Sequence, residues 1–448
     1  MTSSSPPIPS KDTLQFDADS LEQLIAACDL PNWVTEKRRT AFAAAGLGLP
    51  DRRSENWMRT DLRLFKPTQW GLSTTERKEQ PADGLLLDAI SKSSQGSLAG
   101  RLVSLDGHLR REELDPKIRS KGVLFGSAEQ LLAEHGDLFV DYWFSTLDAR
   151  EDWFAAIHGA FHRASTILYV PPNTTILEPF SVMSALSEGG VDTSHVLVIL
   201  GDGAEATLLT ETSGGGNNGT SGGFHCGGTE IIVGKNALLR LVNLQNWNRG
   251  VWHFAKQKAV VHEAGKLQWT LGALGSRLSQ VAQDVVLAGK HAEAQVNGVM
   301  FTEGRQQLVY NTLQHHKAPS CRSDLLYKGA LQDRSRLVWR GMIKVDKSAQ
   351  KTDGYQRNDT LMLSNESRSD SIPGLEIEAD DVRCTHGATS GRVDHEQIFY
   401  AQSRGLTADE AARLVVAGFF QQIFDRITIP PVRDALAQAV GSRIRRVS

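Results

Sequence analysis

Cys384-Thr385-His386 is the segment whose residue types and spacing best support chemistry. On an extended strand, side chains two apart share a face, so a thiol and an imidazole would stand side by side. Such a pair can bind a soft or borderline metal such as iron. Two donors do not close a coordination shell. The remaining donors would come from another chain or from inorganic sulfide. The same spacing also fits a buried thiol beside a surface histidine. Arg383 and Arg392 are the nearby cations that could lower the pKa of the Cys384 thiol.

Other motifs carry less. Gly201-Asp202-Gly203-Ala204-Glu205-Ala206 matches G-x-G-x-x-A. A dinucleotide site needs a helix opening at that loop, and the Gly/Asn-rich insertion at 213–223 leaves no room for one, so the motif reads as a turn between strands. His291-Ala292-Glu293 matches half of a zinc-deaminase signature, but Pro319-Ser320-Cys321-Arg322-Ser323-Asp324 is out of register and one thiol short of the other half. His315-His316 precedes Cys321 and reads as a pair of exposed histidines in a loop between strands, with a metal site as the alternative. No G-x-x-x-x-G-K-[ST] occurs, and Gly234-Lys235 lacks its context, so nucleotide energy would have to come from a partner.

The elements that position these residues fall in three regions: an N-terminal helical domain (1–160), a β domain (161–396) and a C-terminal helical domain (397–448). In the first, Leu21, Leu24 and Ile25 fall at helical spacing, and 35–45, 128–133 and 152–161 have helical patterns. From about 164, β-rich runs follow one another: 167–170, 195–200, 230–233, 238–244, 260–262, 295–301, 307–310, 337–345 and 361–363. Gly201-Asp202-Gly203, Gly234-Lys235-Asn236, Gly265-Lys266, Gly289-Lys290 and Asp353-Gly354 read as the turns between them. Roughly 200 residues of strand with no long helix exclude a βαβ sheet and leave a sandwich, a barrel or a solenoid. The length favours a solenoid, although no clean repeat period stands out.

Near Gly405 the helical period returns. Thr407 and Glu410 form a capping box. Leu414, Phe419, Phe420, Ile423 and Phe424 then give a wide apolar face, until Pro430-Pro431 breaks the helix. That face fits either packing against the β domain or docking of another protein.

Composition bounds the classes. The 448 residues carry 49 Lys+Arg against 52 Asp+Glu, a net charge of -3, which argues against a basic nucleic-acid-binding face. The apolar run at 414–420 is far short of a membrane span. Cys28, Cys226, Cys321 and Cys384 are widely spaced and read as reduced thiols of a cytoplasmic protein. Residues 1–12 lack the apolar stretch of a secretory signal and read as a frayed tail.

The segment 274–427 resembles the SufB/SufD family of iron–sulfur cluster assembly proteins. Gln314-His315-His316, Cys321-Arg322-Ser323, Tyr327-Lys328-Gly329, Gln356-Arg357-Asn358 and, above all, Cys384-Thr385-His386-Gly387-Ala388-Thr389 carry the resemblance. Phe399-Tyr400, Ser403-Arg404-Gly405-Leu406 and Gly418-Phe419 extend it. Upstream, Pro50, Arg53, Glu55, Trp57 and Asp61-Leu62 are similar to the family's N-terminal tryptophan motif. Gly387 after His386 places the match nearer SufD than SufB.

This resemblance implies a right-handed parallel β-helix flanked by helical domains. It implies a non-catalytic scaffold that pairs with SufB through the β-helix and with the SufC ATPase through the C-terminal helical domain. Arg404, Gly405, Leu414, Gly418, Phe419, Phe420 and Phe424 are then the expected partner-binding residues. His386 and Cys384 are the expected ligands of a nascent Fe–S cluster, or of iron shared with SufB. Complexes of this kind can also hold a flavin, and the residues leave open whether this chain does. Two other readings compete: a SufB-like homodimeric scaffold, and a carbohydrate-active β-helix enzyme using Glu376, Glu378, Asp380 and Asp381.

Overall fold

A computed structural model describes residues 13–93, 97–216 and 222–444. The tail at 1–12, the centre of the Gly/Asn insertion (217–221) and the final Arg445 and Arg446 lie outside the described residues. Strands β1 (Thr13–Leu14) and β2 (Leu72–Ser73) pair antiparallel around α1 (Ala18–Ala26) and α2 (Asn32–Ala44). Then come α3 (Leu85–Ser91), β3 (Gly100–Leu105), β4 (His108–Leu114), α4 (Pro116–Arg119), β5 (Leu124–Ser127), α5 (Ala128–Phe139) and α6 (Trp153–Phe161). The helical patterns at 128–133 and 152–161 are borne out, and Asp152 caps α6 by accepting from the Ala155 N–H at 2.9 Å. The strands between 100 and 127 are a correction to the helical reading of this region. β3 and β4 form an antiparallel hairpin, β3 also runs parallel to the first strand of one long sheet, and β5 runs antiparallel to the first strand of the other.

Those two sheets are the body of the molecule. One contains β7 (Phe180–Leu186), β10 (Glu205–Gly214), β12 (Leu238–Trp247), β14 (Lys266–Ala273), β16 (Glu293–Thr302), β18 (Arg322–Leu331), β20 (Thr352–Met362) and β22 (Val382–Arg392). The other contains β6 (Thr166–Val170), β9 (His195–Leu200), β11 (Gly223–Val233), β13 (Val251–Val261), β15 (Leu278–Leu287), β17 (Gln307–His316), β19 (Arg336–Val345) and β21 (Arg368–Ile377), with the short β8 (Val191–Asp192) on β11. The chain alternates between the sheets, and successive strands within each pair in parallel, for example Leu238↔Lys266↔Glu293↔Arg322. This is a parallel β-solenoid.

Each coil turns a corner on one residue in the left-handed conformation. Asn173, Gly203, Asn236, Ala264, His291, Ser320 and Lys351 all have φ between 53° and 69°. Each donates its N–H to the carbonyl preceding the equivalent corner one coil later, as Asn236 does to Glu263 (2.9 Å) and Ser320 to Gln350 (2.8 Å). A repeat therefore exists, although its length varies between these corners. The Gly201-Asp202-Gly203 turn is one of them, joining two strands with no helix. Asp353-Gly354 is not a turn: it lies inside β20. A Cβ on Gly354 would sit 3.2 Å from Cys384 Sγ and 3.3 Å from Ile343, so a side chain there would have to push its lumenal neighbours aside by a few tenths of an ångström.

Alternate residues of each strand fill the lumen. Leu239, Leu241, Trp269, Tyr310, Tyr327 and Trp339 belong to its central apolar cluster. Helices and the N-terminal segment cover much of the outer faces, so strands such as β7 and β16 are buried on both sides and read as apolar runs, whereas β17 and β19 alternate and β21 and β22 stay largely exposed. On the outer face of the first sheet lie α3 and the C-terminal helices α7 (His395–Ser403), α8 (Ala408–Phe424) and α9 (Pro430–Gly441). Against the second sheet pack α1, α2, α6 and the tryptophan motif. In that motif Trp57 stacks on Phe154 with ring centroids 5.2 Å apart, and Thr60 donates to Gln280 Oε1 at 2.6 Å.

Burial has a pH consequence. His108, His158, His162, His225, His253 and His316 are all pushed below the ordinary histidine range, chiefly by desolvation, His225 to about 3 and His316 to about 4. The unfolded chain binds these protons more readily. Their contribution to stability is complete above the ordinary histidine pKa of ~6.5 and drains as pH falls toward the folded values. Asp192 (about 7), Asp284 (about 6) and Glu211 are raised by burial and run the other way, three sites against six. The melting temperature is expected to fall between pH 7 and 5. A calorimetric melting temperature that is flat or rising across that window would contradict this.

Candidate functional site

β22 is the last strand of the first sheet and β21 the last of the second. Among the described residues no strand pairs with their outer edges. This end of the solenoid is open: Leu375 and Ile377 of β21 are exposed, as are most residues of β22. The register sets Cys384 against Gly354 and His386 against Gln356. Both side chains fall on the lumenal face, as the spacing of two predicts. Cys384 is half-buried against Ile343, Val345, Ala349 and Ala379. His386 is exposed, beside the fully buried Gln356, whose Nε2 donates to the Gly374 carbonyl at 2.9 Å.

Electrostatics correct one expectation. The Cys384 thiol is pushed up from its ordinary value, first by burial, with Asp353 adding to the rise and the Gly354 backbone opposing it. Arg383 does not activate it, because Asp353 takes the guanidinium (Nη2–Oδ2 2.5 Å, Nε–Oδ1 3.1 Å). Arg392 donates to Asn365 Oδ1 at 2.9 Å. Any thiolate at Cys384 would have to be drawn out by the incoming metal itself.

His315 and His316 are not loop histidines. They end β17: His315 contacts Asp346 at 2.7 Å, and His316 is fully buried in the lumen against Ser323 Oγ at 2.8 Å. A polar residue survives there because it has a hydrogen-bond partner. A Cβ on Gly354 would lie 3.6 Å from His316 Nε2, so His316 and Cys384 flank the same glycine. Their period-two spacing from strand neighbours was the available signal. Cys321 is buried and its thiol donates to the Gly289 carbonyl at 3.1 Å. Among the described residues no three His, Cys, Asp or Glu converge as a metal-holding group. The open end therefore offers donors without a complete shell. In the acidic run nearby, Glu376 is held by Lys344 at 2.5 Å.

The C-terminal residues divide. Thr407 and Glu410 do form the capping box. Phe420 (0% exposed), Ile423 and Phe424 are buried against Val242, Leu244, Phe301 and Leu326 of the first sheet. Phe419 is half-buried, and Lys328 of β18 reaches it, with Nζ 4.8 Å from the ring centroid and donating to the Phe419 carbonyl at 2.9 Å. Gly405 ends α7 with φ +95°, which only glycine adopts without strain. Arg404 is exposed and lies over the Tyr400 ring at 5.1 Å, and Gly418 is exposed on α8. Leu414 (59% exposed), Phe399 (71%) and Tyr400 (61%) present apolar surface on the adjoining helices α7 and α8. The sequence reading missed Phe399 and Tyr400 as surface residues. Their signal was two adjacent aromatics in a helix with little apolar patterning.

No described helix is long and apolar enough to cross a membrane. The four cysteines form no disulfide. Residues 182–419 match the family described as "SUF system FeS cluster assembly, SufBD core domain", and residues 20–182 match "SufBD protein N-terminal region". An iron–sulfur cluster assembly SufBD family protein of Staphylococcus haemolyticus is 29% identical over 333 residues, covering 74% of this chain and 71% of that protein. A protein of the same description from Staphylococcus aureus strain MRSA252 is 28% identical over the same shares. With its solenoid, its flanking helices and the family match across 20–419, the chain belongs to the SufBD family of the SUF iron–sulfur cluster assembly system.

Proposed function

We propose that this chain is a non-catalytic, SufD-like scaffold subunit of a cytoplasmic SUF complex. Its open solenoid end pairs with a SufB chain, and its C-terminal helices receive the SufC ATPase, which supplies the ATP hydrolysis. The nascent Fe–S cluster, or its iron, is the cargo. One observation carries the reading: Cys384, half-buried, and His386, exposed, stand on the lumenal face of a terminal strand whose outer edge pairs with no described strand, with too few described donors around them to hold a metal alone. The missing donors and the missing strand edge call for a second chain. Gly387 favours the SufD kind. For SufC, the exposed Phe399, Tyr400 and Leu414 are the contact surface, with Arg404 and Gly418 beside them. Phe420 and Phe424 support that surface from beneath.

The test is capture of the tagged chain co-expressed with its candidate SufB and SufC, followed by anaerobic reconstitution and absorption spectroscopy. A three-component complex with iron–sulfur absorption is expected. A chain that emerges as a homodimer would favour the SufB-like reading, and one that emerges alone and colourless would overturn the scaffold role. In the same assay, Leu414→Asp is expected to lower SufC capture by about tenfold, the effect of losing roughly 1.4 kcal/mol at an interface. Undiminished capture would remove the docking assignment.

A further inference from the structure

The lumen is apolar along one side and polar along the other. On the polar side the register stacks Thr229, Gln257, Gln283 and Thr312 across β11, β13, β15 and β17. Asn243 faces them from β12, donating to Thr210 Oγ1 at 2.8 Å and accepting from Gln257 Nε2 at 3.3 Å. At this level the lumen holds a cavity of about 50 Å³, lined among others by His225, His253, Asn243, Gln245, Gln257 and Thr229.

Two buried polar atoms at this cavity have no protein partner: Gln245 Nε2, a donor, and Gln257 Oε1, an acceptor. Their side chains are more than nine-tenths buried. Leaving both unpaired would be costly. Donor and acceptor together select the guest. A bare anion would meet the Gln257 oxygen, and a bare cation the Gln245 amide hydrogens. The histidines add no charge, because burial keeps His225 and His253 neutral, and they are tied to each other through Nδ1 atoms 2.9 Å apart. A small neutral molecule that both donates and accepts fits. The volume suits about three waters.

We propose that this cavity is a structural hydration site binding a cluster of about three waters, and that it begins a wet seam along the solenoid lumen. The seam continues past Gln283 Nε2, Gln314 Oε1 and Gln356 Oε1, each buried and without a protein partner. It ends beneath His386, which is in register with Gln356. The inner side of the open end is thereby hydrated from within.

The experiment compares the full-length chain with Thr229→Ile, which fills the cavity, by deuteron magnetic relaxation dispersion, a count of waters held longer than nanoseconds. The variant is expected to lose about three long-lived waters. An unchanged count overturns the proposal. Gln257→Leu is the second variant should Thr229→Ile not fold, read by the same water count. It replaces the acceptor at the cavity with an apolar side chain, so long-lived waters are expected to be lost, and an unchanged count overturns the proposal.

Discussion

A chain carrying His386→Ala is expected to form cluster at a rate lower by roughly tenfold or more, since even outer-shell changes cost 10–100-fold at metal sites. Its capture of SufB and SufC should stay at the wild-type level. The separation of the two readouts follows from geometry. His386 is exposed on the last strand, so its removal leaves no cavity. Gln356 beneath it keeps its bond to the Gly374 carbonyl. The measurement is iron–sulfur absorption during anaerobic reconstitution of the purified complex. Wild-type cluster formation by this variant would end the ligand assignment. Cys384→Ser separates the two donors: it keeps the shape of the side chain but removes the soft sulfur. Should Cys384 be a bystander packed on Ile343, the serine chain will assemble cluster normally.

The second large effect is on stability. Phe420→Ala is expected to destabilise the chain by about 3–5 kcal/mol, the usual cost of emptying an aromatic site in a core. Phe420 is fully buried, its ring 5.8 Å from that of Phe424, against the outer face of the first sheet. Phe420→Asp would go further and release the helices from the solenoid, because it places a charge in that contact. Loss of SufC capture by either variant would then report unfolding. Thermal melting distinguishes the cases: a Phe420→Ala chain that melts with wild type would contradict the packing described here. Leu414→Asp, at the surface of the same helix, is the variant that reads docking alone.

The residues made some of this legible and hid the rest for physical reasons. Strands after 164 were readable because their lumenal faces are apolar and, in strands such as β7 and β16, the outer faces are buried too. The solenoid repeat was not, because its corner residue is Asn, Gly, Ala, His, Ser or Lys: the coil demands a left-handed backbone there and tolerates any side chain that reaches solvent. Its length also drifts, from the 27 residues between Ala264 and His291 to the 33 between Gly203 and Asn236. β5 read as helical because its partner β6 lies about forty residues further on; β3 and β4 form a local hairpin, whose turn signal, Asp106-Gly107, was legible. Asp353-Gly354 has turn chemistry, yet the glycine serves lumenal packing and the aspartate neutralises Arg383, thirty residues later. The Cys384–His386 pairing on one face followed from period two alone. The electrostatics of the thiol did not, since they depend on what Asp353 does with the arginine. The wide Phe face at 419–424 held two possibilities, and the depth of each residue on the sheet divides them.

The ladder of corner hydrogen bonds makes each coil lean on the next, from Asn173 to Lys351, whose N–H reaches the Asp381 carbonyl. Such an architecture behaves as a one-dimensional lattice, in which every coil owes its order to nearest-neighbour terms. The coil of β21 and β22 has one neighbour where interior coils have two. An isolated chain is therefore least cooperative at the very place that carries Cys384 and His386. A partner strand laid against that edge acts as the absent next site of the lattice, and the ordering of the terminal coil becomes a function of partner concentration.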